Sequence, residues 1–120
     1  MSGPRITIRL DLADTDSEPR LGRIGPGKIA LLEEVAERGS ISAAARAQGI
    51  SYRRAWRMID EMNRLFTEPL VEAEAGGAKG GQAQVTAHGV RLLKAYRAIE
   101  ADAQDAGTRR LSQIVATLRR

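Results

Sequence analysis

The sequence has 120 residues, enough for one domain or for a small domain with an added helix, and its 42% apolar residues suffice for one modest core. Cysteine is absent and His88 is the only histidine, which excludes disulfides, cysteine nucleophiles and multi-histidine metal sites. A net charge of +4 and a pI near 10.1 lean towards a polyanionic partner, and the 3% aromatic content favours closely packed, alanine-rich helices over a β-sandwich.

Residues 5–12 alternate, with Ile6, Ile8, Leu10 and Leu12 on one face and Arg5, Thr7, Arg9 and Asp11 on the other, which predicts a half-buried strand in need of cover. The polar stretch 13–27, with Pro19, Gly22, Gly25, Pro26 and Gly27, reads as a loop; Asp14, Asp16 and Glu18 make this end acidic. Residues 28–38 place Ile29, Leu32, Val35 and Ala36 at helical spacing, and Gly39 is the stop. Ser42 is the expected cap of a short helix ending at Gly49. Ser51 caps a longer one in which Ala55, Ile59, Met62 and Phe66 form the inward stripe, with Pro69 beyond its end.

Two strand-like pieces, 70–74 and 82–85, flank the tip GGAKGG at 76–81, which is the pattern of a hairpin wing. Thr86 caps a helix carrying Val90, Leu93, Ala95, Tyr96 and Ile99, with a break expected at Gly107 and Thr108. In the last helix Leu111, Ile114, Val115 and Leu118 form an apolar stripe with no obvious partner in so small a core. The stripe and the uncovered N-terminal strand both point to a homodimer. The expected fold is mainly α with a small β-hairpin wing: a winged helix-turn-helix over 1–86 and C-terminal dimerisation helices over 87–120.

The functional signal is the short connection 48–51, with glycine where the turn needs a left-handed residue, small Ala44 and Ala45 for close helix packing, and Ile50 to plug the junction. The helix that follows presents Tyr52, Arg53, Arg54 and Arg57 near its start, the part of a recognition helix that enters the major groove. Arginine forks guanine O6 and N7 or clamps phosphate, and Ser42 and Ser51 at helix starts suit phosphate contacts. Lys79 at the hairpin tip reaches towards a neighbouring groove or phosphate. An isolated helix with four arginines is ordinarily a solvated face; the turn and the basic hairpin beside it favour double-stranded DNA.

Trp56 is expected to pack partly under the recognition helix rather than touch a base, and His88 to be structural. GGAKGG lacks the Lys-Ser/Thr and following helix of a phosphate loop. Asp60 and Glu61 are adjacent and diverge on a helix, so no acid/base pair forms and no enzyme, catalytic residue, metal or cofactor is expected. No apolar run nears the roughly 20 residues that span a bilayer, and no signal h-region follows Met1, so the expectation is a cytoplasmic protein without a membrane partner.

In GSISAAARAQGISYRRAWRMIDEMN (39–63), the LVE strand, the GGAKGG tip and the Thr86, Gly89, Leu92 element, the sequence resembles the N-terminal domain of the ModE family of molybdate-responsive regulators. GSISAAA also resembles the LysR-type helix-turn-helix. The resemblance implies a winged helix-turn-helix that dimerises through its first and late helices on a palindromic operator. It implies Ser51, Tyr52, Arg53, Arg54 and Arg57 on the recognition helix, Gly77, Lys79 and Gly80 on the wing, and regulation of molybdenum-related genes. Family members continue into a molybdate-binding region, whereas this sequence ends at Arg120, so no small-molecule ligand is expected within it. The competing expectation is a winged-helix interaction module pairing with a separate sensor subunit or a full-length ModE-like chain.

Overall fold

A computed structural model describes residues 5–12, 22–74 and 81–119. The described chain is mainly helical, with two small antiparallel hairpins. In chain order it contains β1 (Leu10–Leu12), β2 (Gly22–Ile24), α1 (Pro26–Arg38), α2 (Ile41–Gln48), α3 (Tyr52–Leu65), β3 (Val71–Ala73), β4 (Ala83–Val85), α4 (Ala87–Arg110) and α5 (Ser112–Val115). β1 pairs with β2 in the register Leu10 to Ile24, and β3 with β4 in the register Val71 to Val85. No described helix is long and apolar enough to cross a membrane.

One core joins all the long helices. Ile29, Leu32 and Val35 of α1, Ala44 and Ala45 of α2, Ala55, Ile59 and Met62 of α3, and Tyr96 of α4 are all buried in it. The inward stripe read for α3 is thus correct through Met62, with Phe66 partly buried at its end. Arg97 of α4 donates to both carboxylate oxygens of Glu33 on α1, at 2.9 and 2.6 Å, and to Glu100 at 2.7 Å. Donation to these two glutamates holds the guanidinium pKa well above the ordinary arginine value.

Several expectations need correction. The alternation of 5–12 holds in burial, but only Leu10–Leu12 forms ladder, and its partner Gly22–Ile24 falls in the stretch read as a loop. A three-residue Gly-Arg-Ile strand is too short to show a period; Gly22 is there because a Cβ would meet the Leu65 side chain. α1 starts two residues before the expected Lys28, with Pro26 in its first turn, where a missing N–H costs nothing.

The cap of α2 is Ser40, whose Oγ accepts from Ala43 N at 3.0 Å, and Ser42 lies inside the first turn. Finally, α4 runs unbroken through Gly107 and Thr108 to Arg110. Gly107 is the point where the N-terminal segment crosses the helix, since a Cβ there would run into Ile6 Cδ1. Ile6 N donates to Gln104 Oε1 at 2.8 Å and Tyr96 Oη donates to Ile8 O at 2.6 Å. The cover that 5–12 requires is therefore α4 of the same chain, and the segment's exposure no longer argues for a second subunit.

Candidate nucleic-acid interface

The turn between α2 and α3 is built as its sequence demands. Gly49 sits in the left-handed region at φ +68°, and its N–H and that of Ile50 return to the last carbonyls of α2, Ile50 N reaching Ala45 O at 3.0 Å. Ser51 Oγ accepts from Arg54 N at 3.0 Å and caps α3, as expected. These contacts fix the angle at which α3 leaves the turn. Its buried face turns inward, and Tyr52, Arg53, Arg54 and Arg57 are left exposed along its first turns.

Charge on α3 is sorted by end. In the later half, Asp60 is paired with Arg64 at 2.9 Å and Glu61 with Lys28 at 3.1 Å. In the earlier half, no described carboxylate lies within the 4.0 Å of an ion pair to Arg53, Arg54 or Arg57. Arg38, Arg64, Arg91 and Arg97 elsewhere all have such partners. Three arginines thus face solvent with their charge uncompensated by any described carboxylate, as an anion-binding surface requires. Ser42 lines a cleft with Tyr52 and Trp56 and accepts from Arg46 at 3.4 Å.

The hairpin β3–β4 is tied to this unit at three places. Asn63, in the last turn of α3, accepts from Leu70 N at 2.8 Å and Val71 N at 3.2 Å and donates to Val71 O at 3.1 Å. Ala83 N donates to Gly39 O at 2.9 Å, joining β4 to the α1–α2 turn. Thr86, the predicted cap of α4, accepts from Gly89 N at 3.0 Å and donates to Pro69 O at 2.7 Å. Sequence reading missed Asn63; its only signal is an amide on the otherwise apolar face of a helix that ends at a proline-bearing turn.

The hairpin tip, with Gly77, Lys79 and Gly80, lies outside the described residues. Trp56 packs in part, as expected, with 50% of it exposed beside Tyr52 at 56%. His88 fits a structural reading, with its ring edge-on to Phe66 at 5.5 Å and 3.4 Å from the Glu68 carboxylate. Of the proposed pairing residues, Leu111, Ile114 and Leu118 are exposed and Val115 partly so. Among the described residues no group of three or more His, Asp or Glu side chains is placed to hold a metal ion.

The model of the bacterial regulatory helix-turn-helix proteins of the LysR family matches residues 27–90, and the chain belongs to that family. Among curated proteins the similarity is to several named ModE and Mop. The chain is 42% identical over 106 residues to the molybdenum transport protein ModE of Azotobacter vinelandii, a match covering 88% of this chain and 38% of that protein. It is 48% identical over 71 residues to the DNA-binding transcriptional dual regulator ModE of Escherichia coli strain K12, covering 59% and 27%. It is likewise 48% identical over 79 residues to the molybdenum-pterin-binding protein MopB of Rhodobacter capsulatus, covering 66% and 29%. The chain thus spans less than two-fifths of each of these relatives. A MarR family transcription regulator of known structure superposes with a TM-score of 0.55 at 21% identity, over 76% of this chain and 61% of that one, which identifies the winged-helix fold.

Proposed function

We propose that this chain is a sequence-specific DNA-binding regulator that acts as a homodimer on a palindromic operator, with α3 in the major groove. The observation that carries the reading is the row Arg53, Arg54 and Arg57, exposed, without a described carboxylate partner, on the first turns of a helix held by a capped helix-turn-helix. Ser51 and Tyr52 belong to the same surface. Ser42 and the start of α2 meet the phosphate backbone, and Lys79 extends the contact from the hairpin. Residues 1–86 form the DNA-binding part and 87–120 the pairing part, through Leu111, Ile114, Val115 and Leu118. Nothing in this arrangement calls for catalysis, and a cytoplasmic site of action follows from the DNA partner.

The likeness to the two ModE proteins supports a molybdenum-related regulon. The exposed α5 stripe also suits a different partner chain, as in an interaction module. The unpaired arginines favour DNA, because a protein-docking face is depleted in charge at its centre.

The test is fluorescence anisotropy with duplexes enriched by the protein from a random library, against unselected duplexes. Arg53→Ala and Arg54→Ala are expected to cost about 1–3 kcal/mol on the enriched duplex and much less on random DNA. Equal losses on both would reassign them to phosphate, and no enriched duplex at all would overturn the reading.

A further inference from the structure

We propose that Tyr52 and Trp56 form an apolar reader of thymine C5-methyl groups beside the arginine row, a proposal that rests on the DNA-binding reading above. The two residues are four apart on α3 and therefore share a face. At about 100° per residue that face lies between the buried row of Ala55, Ile59 and Met62 and the row of Arg53 and Arg57. Both rings are half-exposed, at 56% and 50%, although the core lies immediately beside them. Neither Tyr52 Oη nor Trp56 Nε1 has a hydrogen-bond partner among the described residues. Together with Arg53 the two rings line one depression on the helix.

On the hairpin side the same rings face a cleft of about 190 Å³, bounded by Ile41 and Ser42 of α2 and by Glu74 and Gln82 of the wing. The Glu74 carboxylate repels phosphate from the wing side of this cleft, so the DNA backbone is confined to the Ser42 edge and is a poor occupant of the space against the two rings. An apolar group from a base edge suits it, and the major groove offers one, the thymine methyl. Four helical residues rise about 6 Å, close to two base-pair steps, so the two rings meet different base pairs rather than one.

The test uses the intact chain and duplexes of about 30 base pairs enriched from a random library. Each thymine is replaced in turn by deoxyuridine, which removes only the methyl group. With the unaltered protein, one or two positions per half-site are expected to lose about 3- to 10-fold in affinity. Trp56→Ala or Tyr52→Ala should abolish that methyl effect while still binding the duplex, and Arg57→Ala should weaken binding with the effect retained. Deoxyuridine that is neutral at every position, or a methyl effect that persists undiminished in both aromatic variants, overturns the proposal while leaving DNA binding intact. The deoxyuridine series needs no variant, so a variant that fails to fold does not shield the proposal. Failure to enrich any duplex overturns the DNA-binding reading itself, and this proposal with it.

Discussion

At the start of α2, Ser40 Oγ accepts the Ala43 N–H at 3.0 Å, while Ser42, two residues on, accepts only a long bond from Arg46 at 3.4 Å. The two serines therefore respond differently to truncation. Ser40→Ala should cost about 1 kcal/mol of stability in urea unfolding, and Ser42→Ala should stay within about 0.5 kcal/mol while weakening DNA binding. Tyr96 carries a pH dependence. Burial, and then the negative Glu100 nearby, raise its pKa above the ordinary 10.0, so the fold favours the protonated phenol that donates to Ile8 O. That contribution is complete below about pH 10 and is lost as pH climbs through the raised folded value. Tyr96→Phe should lose about 1 kcal/mol at neutral pH. Thermal melts from pH 7 to 11 should then show a shallower alkaline decline in the variant than in the parent; parallel declines would remove Tyr96 as the cause.

At the scale of elements, two glycines of α4 test what close approach costs. A Cβ on Gly89 would meet the Leu70 carbonyl oxygen and Val85 Cγ1, where the base of the wing rests on the helix. A Cβ on Gly107 would meet only the end of the Ile6 side chain, which is free to turn. Alanine gains about 1 kcal/mol of helix propensity at either site. Gly89→Ala should nevertheless be destabilising by about 1–3 kcal/mol overall, because backbone must move, and Gly107→Ala should come out near neutral. Urea midpoints decide between them, and equal values would mean that the wing base yields. The same glycines mark what the sequence alone conveyed. Helical periodicity locates α1, α3 and the start of α4, the stop at Gly49 locates α2, and the turn there leaves the arginine row exposed, because these signals are local. Gly107 read as a break and Gly22 as a loop residue, because close approach between distant segments leaves no local pattern. The sequence does not distinguish Ser40 from Ser42 as the cap, because the two serines flank Ile41 and only backbone angles tell which is outside the helix.

For the whole molecule, the described residues extend over 55 × 39 × 23 Å, drawn out by the 24 residues of α4. The apolar side chains Val90 and Ile99 of α4, and Leu111, Ile114 and Leu118 beyond its end, are exposed along this long body. With the N-terminal segment covered within the chain, the proposed dimer rests on these side chains alone. Pairing through them on a two-fold axis would set two α3 helices about 34 Å apart, one turn of DNA. If each protomer neutralises roughly four phosphates, log affinity should fall against log salt with a slope of about −7 for the dimer. Combining Leu111→Asp with Ile114→Asp should leave the helical content intact and reduce the light-scattering mass to a single chain of 13.0 kDa. Operator affinity should then drop by two orders of magnitude or so, because the second half-site no longer binds intramolecularly, and the salt slope should roughly halve. A parent chain that is monomeric at tens of micromolar, or a parent slope shallower than about −2, would sink the dimeric, groove-bound arrangement. A parent monomer that pairs only with a longer ModE-like chain would move the function of α5 to that partner.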